Sequence, residues 1–81
     1  MSDTKEQVKQ FILEQFLPGA EPDELTDTTP LISGGILDSL ATMKLVTFIE
    51  QTFGITVQAH EADEDNLGTL RDIERLIRSK R

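Results

Sequence analysis

Apolar residues recur at helical spacing in three separate stretches of this 81-residue chain, and that periodicity limits the possible folds more than any other feature. Val8, Phe11, Ile12 and Phe16 stand at i, i+3, i+4 and i+8, which predicts an amphipathic helix from about Thr4 to Leu17. Ser2 or Asp3 would cap it and Pro18-Gly19 would end it. Leu70, Ile73, Leu76 and Ile77 repeat the pattern in a last helix from Thr69 to Ser79, with Gly68-Thr69 supplying the break and the cap. Between them, a helix from Ser39 to Phe53, stopped by Gly54, carries Leu40, Met43, Leu45, Val46, Phe48, Ile49 and Phe53. Apolar residues around so much of its circumference predict a central helix. Ile55-Thr56-Val57 is β-branched but has no second strand to pair with, so it reads as an extended connector. With a short helical turn from about Ala62 to Leu67, the sum is all-α: a small four-helix bundle of three main helices and one short one.

The connection between the first two main helices is long for so small a bundle. Pro18 to Asp38 keeps neither helical nor strand period, and a connection of that length inside a small domain is usually functional or disordered. Leu25, Leu31, Ile32, Ile36 and Leu37 are spread through it, which predicts an ordered loop pinned to the core. The length suits a single domain over residues 1–81, because two cores would each fall near the size at which chains stop folding unaided. There is no cysteine, so stability has to come from packing, and disulfides, thiolate nucleophiles and cysteine-based zinc sites are excluded together. No apolar run approaches a membrane span, and the polar start Met1-Ser2-Asp3-Thr4-Lys5-Glu6 does not read as a signal peptide, so a cytoplasmic monomer is expected. The formal net charge is -7. Six acids and no base lie between Gln10 and Met43, and five acids and no base between Leu45 and Leu70. Such a surface repels phosphate backbones, which argues against nucleic acid, and attracts partners with basic patches.

Few residues offer chemistry. The only histidine, His60, is read as an exposed residue of a polar linker, about twenty residues from the nearest interesting serine, so no triad is built. Asp63 to Glu74 matches a calcium loop at its first, third, sixth and twelfth positions, but Leu67 and Arg71 stand where oxygen ligands belong. Gly34-Gly35 lacks the lysine of a phosphate loop. That leaves Ser39, where a glycine-bearing loop turns into a helix. It reads either as an ordinary N-cap or as a hydroxyl to be modified, since an anionic adduct there would face unpaired N–H groups and the positive end of the helix dipole.

Gly35-Ile36-Leu37-Asp38-Ser39-Leu40 resembles the attachment motif of the acyl carrier proteins, the phosphopantetheine-binding carriers, and the resemblance runs over essentially the whole chain. It implies that Ser39 receives 4'-phosphopantetheine from coenzyme A through a phosphopantetheinyl transferase, with Asp38 assisting modification and docking. It also implies a chain with no catalysis of its own, which holds acyl intermediates as thioesters for enzymes of a fatty acid, lipid or polyketide pathway. An aminoacyl or peptidyl carrier is the alternative, and a small calcium-binding module the remote one. Leu40, Met43, Lys44 and Phe48 on the second helix, with Glu61, Asp63 and Glu64 near the third, match positions where carriers meet loading ligases, acyltransferases and synthases that present basic patches. Carriers of general fatty acid synthesis have acids where this chain has Ala41 and Lys44, and its Gly-Ile-Leu is more similar to freestanding specialised carriers.

Overall fold

The computed structural model describes residues 3–80, and every regular element in that span is helical. Helix α1 (Asp3–Phe16) leads into the long loop, which contains a 3₁₀ turn at Pro22–Glu24. Helix α2 (Ser39–Phe53), a second 3₁₀ turn (Ala59–Glu61), the one-turn helix α3 (Glu64–Leu67) and helix α4 (Leu70–Lys80) follow. The two 3₁₀ turns were not legible as periodicity, because three residues carry no period. Asp3 is the first residue of α1, and the alternative cap Ser2 lies outside the described residues.

The buried face of α1 is rotated from the one its aromatics suggest. Thr4, Val8, Ile12 and Leu13 are buried, while Phe11 and Phe16 are only partly so. The rings form a seam instead: Phe11 stacks on Phe48 of α2 with centroids 4.2 Å apart and meets Phe16 edge-on at 5.7 Å. Such pairs add about 0.5–1.5 kcal/mol beyond area burial, enough to hold an aromatic ring at the edge of a core.

Helix α2 is not central. Only Ala41, Leu45 and Ile49, at i, i+4 and i+8, are buried, whereas Leu40 and Met43 are 75% and 62% exposed. It is α1 that packs on both α2 and α4. Val46, Phe48 and Phe53, off that stripe, are partly buried against the core, and it is Leu40 and Met43 that face solvent. Gly54 ends the helix as expected, in the left-handed conformation at φ 68°, with its N–H bonded to Glu50 O at 3.0 Å.

The long loop is ordered and pinned, as its leucines indicated. Leu25, Leu31 and Leu37 are buried, and each fully buried leucine contributes roughly 1.5–3 kcal/mol relative to exposure, so the loop matches a helix face in what it adds to the core. Leu31 N donates to Gly68 O at 2.7 Å, Arg71 N to Asp27 O at 3.1 Å, and Lys5 Nζ pairs with Asp27 Oδ2 at 2.7 Å. These bonds tie the loop to α1 and to the α3–α4 junction. Ile55-Thr56-Val57 belongs to no helix or strand, and Val57 N is satisfied by Glu50 Oε2 at 2.9 Å. Thr69 caps α4 by accepting from Asp72 N at 3.1 Å.

Candidate functional site

The turn into α2 is set from both sides. Gly35 adopts φ 83°, a conformation that β-branched and bulky residues avoid, and the buried Leu37 anchors the chain two residues later. Asp38, not Ser39, is the N-cap: its Oδ1 accepts from Ala41 N at 2.8 Å, and its carbonyl accepts the first helical bond from Thr42 N at 2.8 Å. This corrects the reading of Ser39 as a capping serine. Because Asp38 does the capping, the Ser39 side chain enters no hydrogen bond among the described residues and is exposed. The amides of Ser39 and Leu40, first in the helix, have no helical acceptor and point the same way as the dipole's positive end.

Ser39 opens onto a groove of about 620 Å³ between α2 and the segment leading into α3. Ile32 and Leu37 line it from the long loop, Asp38, Thr42 and Met43 from the start of α2, and Ala59, Ala62, Asp63 and Glu64 from the segment leading into α3. The lining is mostly apolar with three carboxylates at the rim. Asp63 Oδ1 is engaged as the N-cap of α3, accepting from Asn66 N at 3.1 Å. A separate hollow of about 410 Å³ between Glu6, Gln7, Gln10, Phe11, Glu14 and Phe48 lies on the other side of α2 and contains none of the Ser39 groove residues.

The structure therefore brings together Asp38, Ser39, Met43, Asp63 and Glu64, with Leu40 and Lys44 on the adjacent outer surface of α2. Lys44 forms no ion pair among the described residues. Phe48 and Glu61 do not line the groove and have partners within the chain. Phe48 is committed to the stack on Phe11, away from the groove. Glu61 is not a free acid: its Oε1 accepts from Lys80 Nζ at 2.6 Å and from Gln58 N at 2.9 Å, and these bonds, Lys80's foremost, hold its carboxyl below the usual range. Sequence reasoning missed Thr42 and the small residues Ala59, beside the polar linker of His60, and Ala62, which read only as the start of a short helical turn. Their only signal was two alanines among charged neighbours.

His60 is exposed on the second 3₁₀ turn rather than in an irregular linker, and it does not line the groove. The calcium-like segment is folded as α3, Gly68 and the first turns of α4, with Asp72 turned to Thr69 and Arg75 and with Glu74 paired to Arg78. Among the described residues no group of three or more His, Cys, Asp or Glu is placed to hold a metal ion. No helix in that span is long and apolar enough to cross a membrane.

Comparison with known proteins matches residues 12–77 to a family model described as "Phosphopantetheine attachment site". Among solved structures, a chain from one titled "Crystal structure of FAD-dependent dehydrogenase" is 34% identical and superposes with a TM-score of 0.78, covering 86% of this chain and 97% of that one.

Proposed function

The chain belongs to the phosphopantetheine-attachment family of carrier proteins, whose domain holds 4'-phosphopantetheine covalently on a serine, and from that premise we propose that the serine is Ser39. The observation that carries this is the hydroxyl's situation: unbonded, exposed, in the first turn of α2 and at the mouth of a groove. The matched span contains two serines, Ser33 and Ser39, and only Ser39 is placed at a helix N-terminus, where a phosphodiester is stabilised by free amides and the dipole. The arm, once attached, supplies a thiol on which a carboxylic acid is held as a thioester. This chain's part is to fix the attachment point, to seat the arm and cargo along the groove, and to present a surface that enzymes read.

The chain acts as an acyl carrier of a specialised fatty acid, lipid or polyketide route and catalyses nothing itself. Tethering turns each visit to an enzyme into delivery at high effective concentration. Leu40 and Met43, exposed beside Ser39, supply the apolar contact, and Asp38, Asp63 and Glu64 meet basic groups of the partner. A structure whose title names an FAD-dependent dehydrogenase contains a chain of nearly this length and fold, which supports a flavin-dependent dehydrogenase among the enzymes served, alongside the transferase and a loading ligase. Incubation with coenzyme A and a broad-specificity phosphopantetheinyl transferase should add one arm to the intact chain and none to Ser39→Ala, read by intact mass. An adduct that survives Ser39→Ala would defeat the assignment. Intact mass of the species isolated from its native cell identifies the cargo, and an amino acid on the arm would replace acyl by aminoacyl carriage.

A further inference from the structure

The wall of the groove that faces Ser39 has little support of its own. From Gln58 to Asn66, nine consecutive residues, none is fully buried; the nearest buried anchors are Val57 before it and Leu67 after it. The segment consists of a three-residue 3₁₀ turn and the start of a four-residue helix, too short to be stable alone. Beside the partly buried Ala62 and the packing of α3 on α4, it is held by a bond to the last turn of α4. Glu61 Oε1 accepts from Gln58 N, closing the capping box of the turn, and the same oxygen accepts from Lys80 Nζ at 2.6 Å. Both side chains are only about one fifth exposed, 21% and 19%. Lys80 is carried on the last turn of α4, which is rigidly placed because Ile73, Leu76 and Ile77 are buried in the core. A second bond from α4 to this segment runs from the exposed Arg75 to Asp65 O at 3.4 Å. The ion pairs Arg75–Asp72 and Arg78–Glu74 lie within α4, and Lys5–Asp27 joins α1 to the long loop.

We propose that Lys80 is a positioning residue for the carrier site: acting through Glu61, it clamps the Ala59–Ala62 wall of the groove, so the end of α4 sets how closely the groove holds what is attached to Ser39. The groove wall then follows the local-opening free energy of a segment with few buried contacts, and a single ion pair has leverage there that it would lack in the core. The inference rests on the reading that the arm and its cargo lie along this groove, and its test separates the two.

Hydrogen exchange on the apo chain tests the clamp without any modification. Lys80→Met should raise exchange at Glu61 N and Ala62 N, which bond to Gln58 O and Ala59 O, by roughly two- to fivefold, the range expected of a partly exposed pair. Lys80→Arg should restore protection. Lys5→Met, which removes the comparable pair to Asp27 away from the groove, should leave these two amides unchanged. Unchanged exchange in Lys80→Met overturns the clamp. The second measurement loads the holo chain with an octanoyl thioester and follows its cleavage by hydroxylamine beside free octanoyl-pantetheine. Slower cleavage on the wild-type carrier than on the free thioester, with the difference reduced in Lys80→Met and kept in Lys5→Met, supports the positioning role. Faster exchange with no change in cleavage overturns that role. Equal cleavage of carried and free thioester removes the groove as the seat of the cargo, while the clamp itself would stand on the exchange result.

Discussion

Replacing Asp38 separates two roles that the sequence motif merges, the structural cap and the charge beside the attachment site. In the structure Asp38 Oδ1 accepts from Ala41 N at 2.8 Å and closes the first turn of α2. Losing an N-cap acceptor costs about 1 kcal/mol, and a domain of this size loses roughly 4–8 °C of Tm per kcal/mol. Ala41 sits in that turn and is itself buried, so fraying reaches the core rather than stopping at the surface. Asp38→Ala should therefore melt about 4–8 °C below wild type. Asp38→Asn keeps an oxygen acceptor, and asparagine ranks beside aspartate as an N-cap, so it should melt closer to wild type than to the alanine variant. Modification by the transferase should order differently. If the carboxylate meets a basic group of the enzyme, both variants lose rate by about tenfold, the equivalent of about 1.4 kcal/mol, although one of them has kept its cap. Melting curves followed by circular dichroism and initial rates of arm transfer decide it. An asparagine variant that melts like alanine would refute the cap reasoning, and one that is modified at the wild-type rate would refute the role of the charge.

Gly68→Ala places a methyl against the Glu64 carbonyl oxygen and disturbs the Gly68 O that holds Leu31 N, so urea unfolding should show a loss of roughly 1–3 kcal/mol. Asp27, hydrogen-bonded by Lys5, and Glu61, hydrogen-bonded by Lys80, both have folded-state pKa values below the ordinary carboxylate value of about 4. Their stabilisation is present above that value and is lost as pH falls through the folded pKa, so between pH ~5 and ~2 the wild type should lose more Tm than the Lys5→Met, Lys80→Met double variant. Calcium at micromolar concentration should leave Tm unchanged, and a rise of many degrees abolished by Glu74→Gln would restore the calcium reading. Met43→Asp should cut the transferase rate by roughly tenfold with Tm unchanged, as expected for an exposed docking residue, and a variant as active as wild type would exclude Met43 from the interface. Added salt near 0.1 M should slow wild-type modification, and Lys44→Glu should make that dependence steeper.

The sequence by itself determined the all-α class, the bounds of α2 down to Gly54 and the cap at Thr69, because each of these is encoded by near neighbours: a period of 3.6, a left-handed glycine, a short polar residue before a helix. It also marked the long loop as ordered, since leucines in a polar stretch have to be buried somewhere. What it left open concerned direction and partners across the fold. Seven apolar residues on α2 were compatible with a central helix, and only the placement of α1 and α4 decided that Ala41, Leu45 and Ile49 face inward while Leu40 and Met43 face out. The partners of Phe48 and Glu61 within the chain were likewise open, since an aromatic side chain goes where another ring offers a stack and a carboxylate where a cation reaches it. Those partners, Phe11 and Lys80, lie 37 and 19 residues away in the chain. The groove had no sequence signature at all, because its walls come from the long loop, the first turn of α2 and the α3 approach, which meet only after the bundle has closed.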